Sequence, residues 1–410
     1  MKMRDVKDKN FFQLIRKSKM YKQNILLFLL LFNFNGCENS VEITEPLLEE
    51  SLSSFEWNLP ATVRPPRVPK DNPMSNEKVT LGRFLFYDTN LSFNHIQSCS
   101  SCHLQENAFA DHKRVGEGTT GEFHTRNPQH LINAGYYTSY TWGNPALGIL
   151  EKQIILPLTG DNPIELGIST PELEKEVLSR FENNETYRIL FSKIFEEEKP
   201  VTLSNVIKAL SAFVRTLNSF NSPYDRYIRG EGNELNTSAT RGMNLFNSER
   251  AECFHCHDGI NFSDSYADTS SFFIVQDFHN LGLYNIMRDG TEGNYPPNNQ
   301  GVFEITNLDK DKGRFRTPNL RNVALTAPYM HDGSLTTLED VLDHHSRGGT
   351  LHTEAGKEGD GRNNPYKSDL IIPKNFTSQE KRDIINFLHA LTDKEFINNP
   401  KFSSPFKEIK

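Results

Sequence analysis

Between residues 204 and 217 the large apolar side chains fall at Val206, Ile207, Leu210, Phe213, Val214 and Leu217. That spacing puts them on one face of a helix. A second helix is predicted over "TPELEKEVLSRF". There Thr170 is the N-cap, Pro171 takes the first helical position, and Glu172 and Glu174 lie in the first turn. "TTLEDVLDHH" and "TSQEKRDIINFLHAL" each begin with a hydroxyl cap followed by an early acid, so both predict helices. "NEKVTLGRFLFYDTNLS", residues 76–92, marks the expected start of ordered structure. "NTSATRGMNLFNS" predicts another helix, whereas "NSPYDRYIRGEGNEL", 221–235, reads as a turn and linker. The stretches 104–150 and 258–313 are rich in Gly, Asn, Asp and Pro and read as loops. Alternating strand patterns are few, so the chain is predicted to be mainly α with long loops and little β structure.

The first 36 residues break this pattern. A basic run, "MKMRDVKDKNFFQLIRKSKMYKQ", precedes a short apolar run, "NILLFLLLFNFNG". These are the charged and apolar regions of an export signal, too short to read as a spanning helix. A glycine directly before Cys37 resembles the bacterial lipoprotein signal, which implies lipidation of Cys37 and a membrane contact only through that anchor. Residues 37–75 turn acidic and then proline-rich, and are expected to be a tether and extended lead-in. The leader carries eight Lys/Arg and two Asp, so the remainder is more acidic than the whole-chain net charge of −8. Lys and Arg do not cluster elsewhere, which argues against a nucleic-acid partner. An acidic body suits a basic protein partner.

Apart from Cys37, all the cysteines lie in two runs, "SCSSCH" and "ECFHCH". Both contain C-x-x-C-H: Cys99, Cys102, His103 and Cys253, Cys256, His257. Zinc would call for a second ligand pair about 12 to 20 residues on. The next cysteine after Cys102 is 151 positions away. A thiol–disulfide motif would be expected beside a βαβ pattern, which is missing. Covalent haem c explains the spacing: two thiols bond the porphyrin vinyl groups and the adjacent imidazole reaches the iron. The prediction is therefore two haem c groups in two cytochrome c-like domains, 76–228 and 229–410, after the leader 1–36 and the tether 37–75. His255, between the thiols of the second run, reads as a solvent-facing residue.

With "LGRFLFYDTNLS" ahead of the first motif and "RFRTPNLRNVALTAPYMHDGSLTTLEDV" after the second, the chain resembles the bacterial diheme cytochrome c peroxidase and MauG family over about residues 76–406. The resemblance implies an exported, periplasmic enzyme that reduces hydrogen peroxide at the N-terminal haem. A small cytochrome c or cupredoxin would supply electrons through the C-terminal haem. It assigns Glu165 as the proton shuttle and Gln153 to the same distal pocket. Trp142 falls near the family's tryptophan between the haems, in a segment with one extra residue. His112 and His124 are the candidates for a histidine that caps the peroxidatic iron. Counting from His331, the sixth ligand of the C-terminal haem falls on His345, with His344 beside it. The peroxidases have Met at that position and MauG-like members Tyr. A bis-His iron has a lower potential than a His/Met one. The resemblance also implies one calcium ion held by Asn127, Thr326 and Pro328, propionate contacts from Arg316 and Arg321, and in some members a homodimer. Three functions follow: a peroxidase, a MauG-like oxidase of a protein or organic substrate, or a diheme electron carrier without catalysis.

Overall fold

A computed structural model gives the fold and describes residues 55–232 and 234–406. The leader, Cys37 and the first part of the tether lie outside those residues. Helices follow in the order α1 (Asn76–Tyr87), α2 (Leu150–Thr159), α3 (Pro171–Glu182), α4 (Glu185–Ile194), α5 (Leu203–Arg215), α6 (Pro223–Ile228), α7 (Thr237–Phe246), α8 (Phe303–Thr306), α9 (Leu338–Arg347), α10 (Ser378–His389) and α11 (Lys394–Ile397). The strands are short: β1 (Phe278–Asn280), β2 (Ile286–Arg288), β3 (Thr291–Asn294), β4 (Arg314–Arg316), β5 (Leu351–His352) and β6 (Gly359–Asp360). They pair antiparallel as β1–β4, β2–β3 and β5–β6. None of the described helices is long and apolar enough to cross a membrane.

The caps read from the sequence form as expected. Thr170 Oγ1 accepts from Leu173 N, and Thr337 and Thr377 each close a capping box with Asp340 and Glu380. One reading needs correction. The stretch taken as a turn and linker contains α6, opened by a Ser222–Asp225 capping box with Pro223 at its first turn. That helix is held from outside: Arg321 makes a bidentate ion pair with Asp225 at 2.8 and 2.9 Å. A long-range ion pair of this kind leaves no periodic trace in a six-residue helix. The lead-in is also more structured than a tether. Val63 packs with Tyr136 and Phe220, and Pro66 bridges to Asp268.

Two helix crossings organise the core. α1 packs on α5, where Leu81, Leu85, Phe86, Val206, Leu210 and Phe213 are buried. The rings of Phe86 and Phe213 meet edge to face at 5.2 Å. α7 packs on α10 around Phe246, Ile384, Phe387 and Leu388, with Phe262 and Leu342 completing that cluster. Each crossing has a glycine at its closest point. A Cβ on Gly82 would overlap the Ala209 carbonyl, and one on Gly242 would overlap the Asp383 carbonyl. Only glycine lets the two backbones approach so closely. α2 joins the first crossing through the buried Arg215, whose guanidinium donates to Glu151 on α2.

Candidate functional site

Each C-x-x-C-H folds into the same hairpin. A single 3-10 turn spans Cys99–Ser101 in one and Cys253–His255 in the other. The amide of His103 donates to Cys99 O at 3.1 Å, and that of His257 to Cys253 O at 2.9 Å. Both turns therefore set two thiols and one imidazole on a common face. The thiols are free.

The imidazoles are oriented in the same way. His103 Nδ1 lies 3.0 Å from Phe109 O, and His257 Nδ1 lies 2.9 Å from Phe262 O. A carbonyl only accepts, so each Nδ1 carries the proton and donates, which leaves the Nε2 lone pair free to bind a metal. Both phenylalanines hold left-handed backbone, φ 59° and 51°, which aims their carbonyls back at the ring. Burial lowers the pKa of both histidines and keeps them in the neutral, ligating form. The sequence carried no readable sign of these two carbonyl acceptors, because phenylalanine seldom adopts positive φ.

Each hairpin lines a large cavity. The first encloses about 1320 Å³ and the second about 1440 Å³ of space between atoms, mouths included. Buried polar atoms without a partner cluster on them. Among the described residues these include Gln153 Oε1 on the first, and Arg316 Nε and His331 Nε2 on the second. A flat, mostly apolar group with polar edges fits such walls, and two thiols beside an imidazole at each floor are the donor set of haem c.

The cavities differ on the side facing the histidine. The first is lined by Gln153 from α2, Glu165 and His124. His124 Nε2 lies 3.4 Å from Glu165 Oε1. Desolvation pushes the Glu165 carboxyl up to about 7, poised to exchange a proton near neutrality. His112 lies elsewhere: its ring contacts Asn107 and it lines an outer cavity with Arg114 and Tyr284. Among the described residues the carboxylate lining the second cavity is Glu252, which pairs with Lys374 instead of facing an imidazole. His345 from α9 lines it, with its pKa pushed down to about 4 by burial and by the nearby His257, so it is neutral at pH 7. His344 instead points Nδ1 at Thr350 Oγ1, 2.7 Å away, and lines neither cavity. Adjacent positions on a helix point about 100° apart, which is why only one of the pair reaches the cavity.

Between the two lies a smaller cavity lined by Asn127, Thr326, Pro328, Trp142 and Arg316. Trp142 also lines the second haem cavity, and its Nε1 donates to Asn127 O at 2.8 Å. Asn127 Nδ2 donates to the carbonyls of Lys113 and Arg114. The two arginines part company. Arg316 lines the second cavity, its guanidinium 4.3 Å from the Tyr137 ring. Arg321 is fully engaged by Asp225 and Ile260 O, away from both haem cavities. His255 lies outside both cavities and faces Glu249 at 3.5 Å. Sequence reasoning also missed His279, whose Nε2 contacts Asp264 at 2.6 Å in the wall beside Cys256.

Two covalent haem sites in one mainly helical chain, one facing a carboxylate and the other a second histidine, define a di-haem c-type oxidoreductase. The family described as "Di-haem cytochrome c peroxidase" matches residues 76–233. Cytochrome-c peroxidase IdrP1 of Pseudomonas sp. (strain SCT) is 35% identical, covering 82% of this chain and 86% of that protein. Methylamine utilization protein MauG of Methylorubrum extorquens is 29% identical, covering 87% and 89%. Among solved structures, a MauG-like protein associated with microbial copper homeostasis superposes with a TM-score of 0.83. It is 46% identical, covering 86% of this chain and all of that one. The chain belongs to the di-haem cytochrome c peroxidase and MauG family.

Proposed function

We propose that this chain is an exported peroxidase that reduces hydrogen peroxide in the first cavity, with electrons relayed through the second. The observation that carries this reading is the asymmetry of the two cavities. When bound, the haem irons supply the redox chemistry, peroxide reduction at one and electron passage at the other. Two electrons and two protons convert one peroxide into two waters. Glu165 takes a proton from the near oxygen and returns it to the departing one. Its raised pKa lets the carboxyl both accept and release that proton near pH 7. The Gln153 amide orients the peroxide, and His124 tunes the carboxylate it faces. In the second cavity His257 and His345 would both hold the iron, which would supply electron passage there rather than peroxide chemistry. Trp142, in contact with the second cavity and the space between, is the relay. Asn127, Thr326 and Pro328, which line that space, would hold a calcium ion through oxygen ligands.

The remaining assignments belong to the same reading. The haem modules are 76–228 and 229–410, each built on one of the two glycine crossings. Residues 1–36 direct export to the periplasm, Cys37 carries the lipid, and a small cytochrome c or cupredoxin is the donor. Steady-state peroxide consumption with a reduced basic cytochrome c tests the reading, and Glu165→Gln with both haems retained should abolish it. Unchanged turnover in that variant would remove Glu165 from the mechanism.

A second reading is favoured by the 46% identity to a MauG-like protein, while histidine at position 345, where the peroxidases have Met and MauG-like members Tyr, decides for neither. In it the electrons come from a protein side chain, oxidised at a distance through Trp142. Absence of turnover with any small carrier, together with a long-lived oxidised spectrum after peroxide addition, selects this second reading.

A further inference from the structure

The loop that leads into β1 carries four consecutive apolar side chains in water. Phe272 is 91% exposed, Phe273 80%, Ile274 49% and Val275 54%. The two rings touch each other edge to face at 5.1 Å. An exposed run of this size is a cost in solution unless something covers it.

The stem that presents this tip is built, not slack. Asp268 accepts from Ser270 N and Oγ at 2.7 and 2.6 Å and from Tyr266 Oη at 3.1 Å, and its own amide donates to Ser271 Oγ at 3.0 Å. On the other side Gln276 Nε2 donates to Thr138 O at 2.6 Å. The tip is therefore held out from a fixed base.

The composition along the loop is graded. Between Asp268 and Asp277 the sequence reads "TSSFFIVQ", with no charge. A collar of hydroxyls and one amide surrounds an apolar point, and carboxylates stand only at the base. A convex point with its polar groups stacked below it suits a soft, layered medium: apolar tails, then ester and headgroup, then water. A protein partner would need a matching pocket for two rings that project almost completely.

The chain's own entry points to the same medium. Thr269 N donates to Pro65 O at 3.1 Å, and Pro66 bridges to Asp268. The lead-in is thus fastened to the stem of the loop. Twenty-eight positions upstream of Pro65 is Cys37.

We propose that Phe272, Phe273, Ile274 and Val275 insert shallowly into a phospholipid bilayer, as a second contact beside the acyl anchor. This rests on the export and anchoring of the proposed function. A second weak contact on the same molecule as the acyl anchor gains by effective concentration. Because Gln276 ties the stem to the segment carrying Tyr140 and Trp142, insertion also fixes which face of the haem sites looks away from the membrane.

The test uses exported full-length holoenzyme carrying Cys37→Ser, mixed with phosphatidylcholine vesicles and separated by flotation. Flotation of the parent is expected, insensitive to salt and not requiring anionic lipid, since the tip is uncharged. Phe272→Ser/Phe273→Ser should cut the bound fraction at least tenfold while the haem spectra stay unchanged. As a second readout, Phe272→Trp should shift its emission to the blue on vesicle addition and be quenched by brominated acyl chains. A parent that does not float, a double variant that floats equally well, or binding that needs anionic lipid and fails in salt each overturns the proposal. So does a double variant whose only defect is slower oxidation of a reduced basic cytochrome c, because that assigns the tip to a protein partner. Mass spectrometry of the unmutated chain reports acylation of Cys37 separately, so failure of the anchor and failure of the loop are told apart.

Discussion

The two haem cavities are built alike on one side and unlike on the other. On the cysteine side they share a 3-10 turn, an imidazole held through Nδ1 by a phenylalanine carbonyl, and a helix crossing closed by glycine. Opposite, one offers a half-buried carboxylate and the other an imidazole. Attachment of the cofactor and the use made of it are thus separate inventions. Apart from the helix crossing, the fixed part is local in sequence, within about ten residues of each motif. The variable part arrives from distant segments: Gln153 and Glu165 follow the first motif by fifty residues or more, and His345 follows the second by more than eighty.

The sharpest way to break this asymmetry is to neutralise the carboxylate. Glu165→Gln keeps the shape and removes the base. Peroxide turnover should fall by about 10² to 10⁴, the usual worth of a positioned proton carrier, with both haems present in the denatured-haem assay. The matching change on the other side is His345→Met. It should raise the potential of the C-terminal haem by part of the ~0.8 V span that axial ligands command. Redox titration followed by absorption measures it. His344→Gln, one position away, should leave that potential in place because its ring faces Thr350.

The shared half can be broken too. Gly82→Ala and Gly242→Ala each force a methyl group into a backbone carbonyl across a helix crossing. Overpacking typically costs about 1–3 kcal/mol. Each should lower Tm by several degrees for a body of this size. A perturbed absorption spectrum and potential of the N-terminal haem alone in Gly82→Ala, and of the C-terminal haem alone in Gly242→Ala, would confirm that each crossing serves its own cavity. Equal perturbation of both haems in either variant would merge the two modules into one cooperative unit.

How much of this was legible beforehand follows the same divide. The C-x-x-C-H hairpins, the capped helices α3, α5, α9 and α10, and the scarcity of strands are written locally, in caps and periodicity. Glu165 as a site residue came only through the family resemblance, since an acid before Leu-Gly carries no signal of its own. Which of His344 and His345, and which of His112 and His124, lines one of these cavities depends on the direction of each side chain. The sequence pattern does not fix that direction. Helix α6 was missed because Arg321, 96 positions away, supplies the partner that secures it. The left-handed Phe109 and Phe262 were missed because their role is played by a backbone oxygen, and every residue type has one.

The smallest effect is also the one that separates the two cavities most cleanly. If Glu165 must be ionised to take the peroxide proton, the rate of the peroxide-dependent step tracks its charged fraction. Burial raises its pKa to about 7, well above the usual range near 4.3 for glutamate. The carboxylate is the active form, so the rate should be flat above pH 7 and fall about tenfold per unit below it. With an ordinary glutamate the same fall would begin near pH 4. Stopped-flow mixing with peroxide at each pH gives the profile. Glu165→Gln should flatten it. Electron uptake by the C-terminal haem, measured without peroxide, should show no inflection near 7, because burial holds the His345 imidazole facing its cavity neutral through that range. A shared inflection in both steps would mean that one proton governs both sites, and the functional division between the cavities would then be lost.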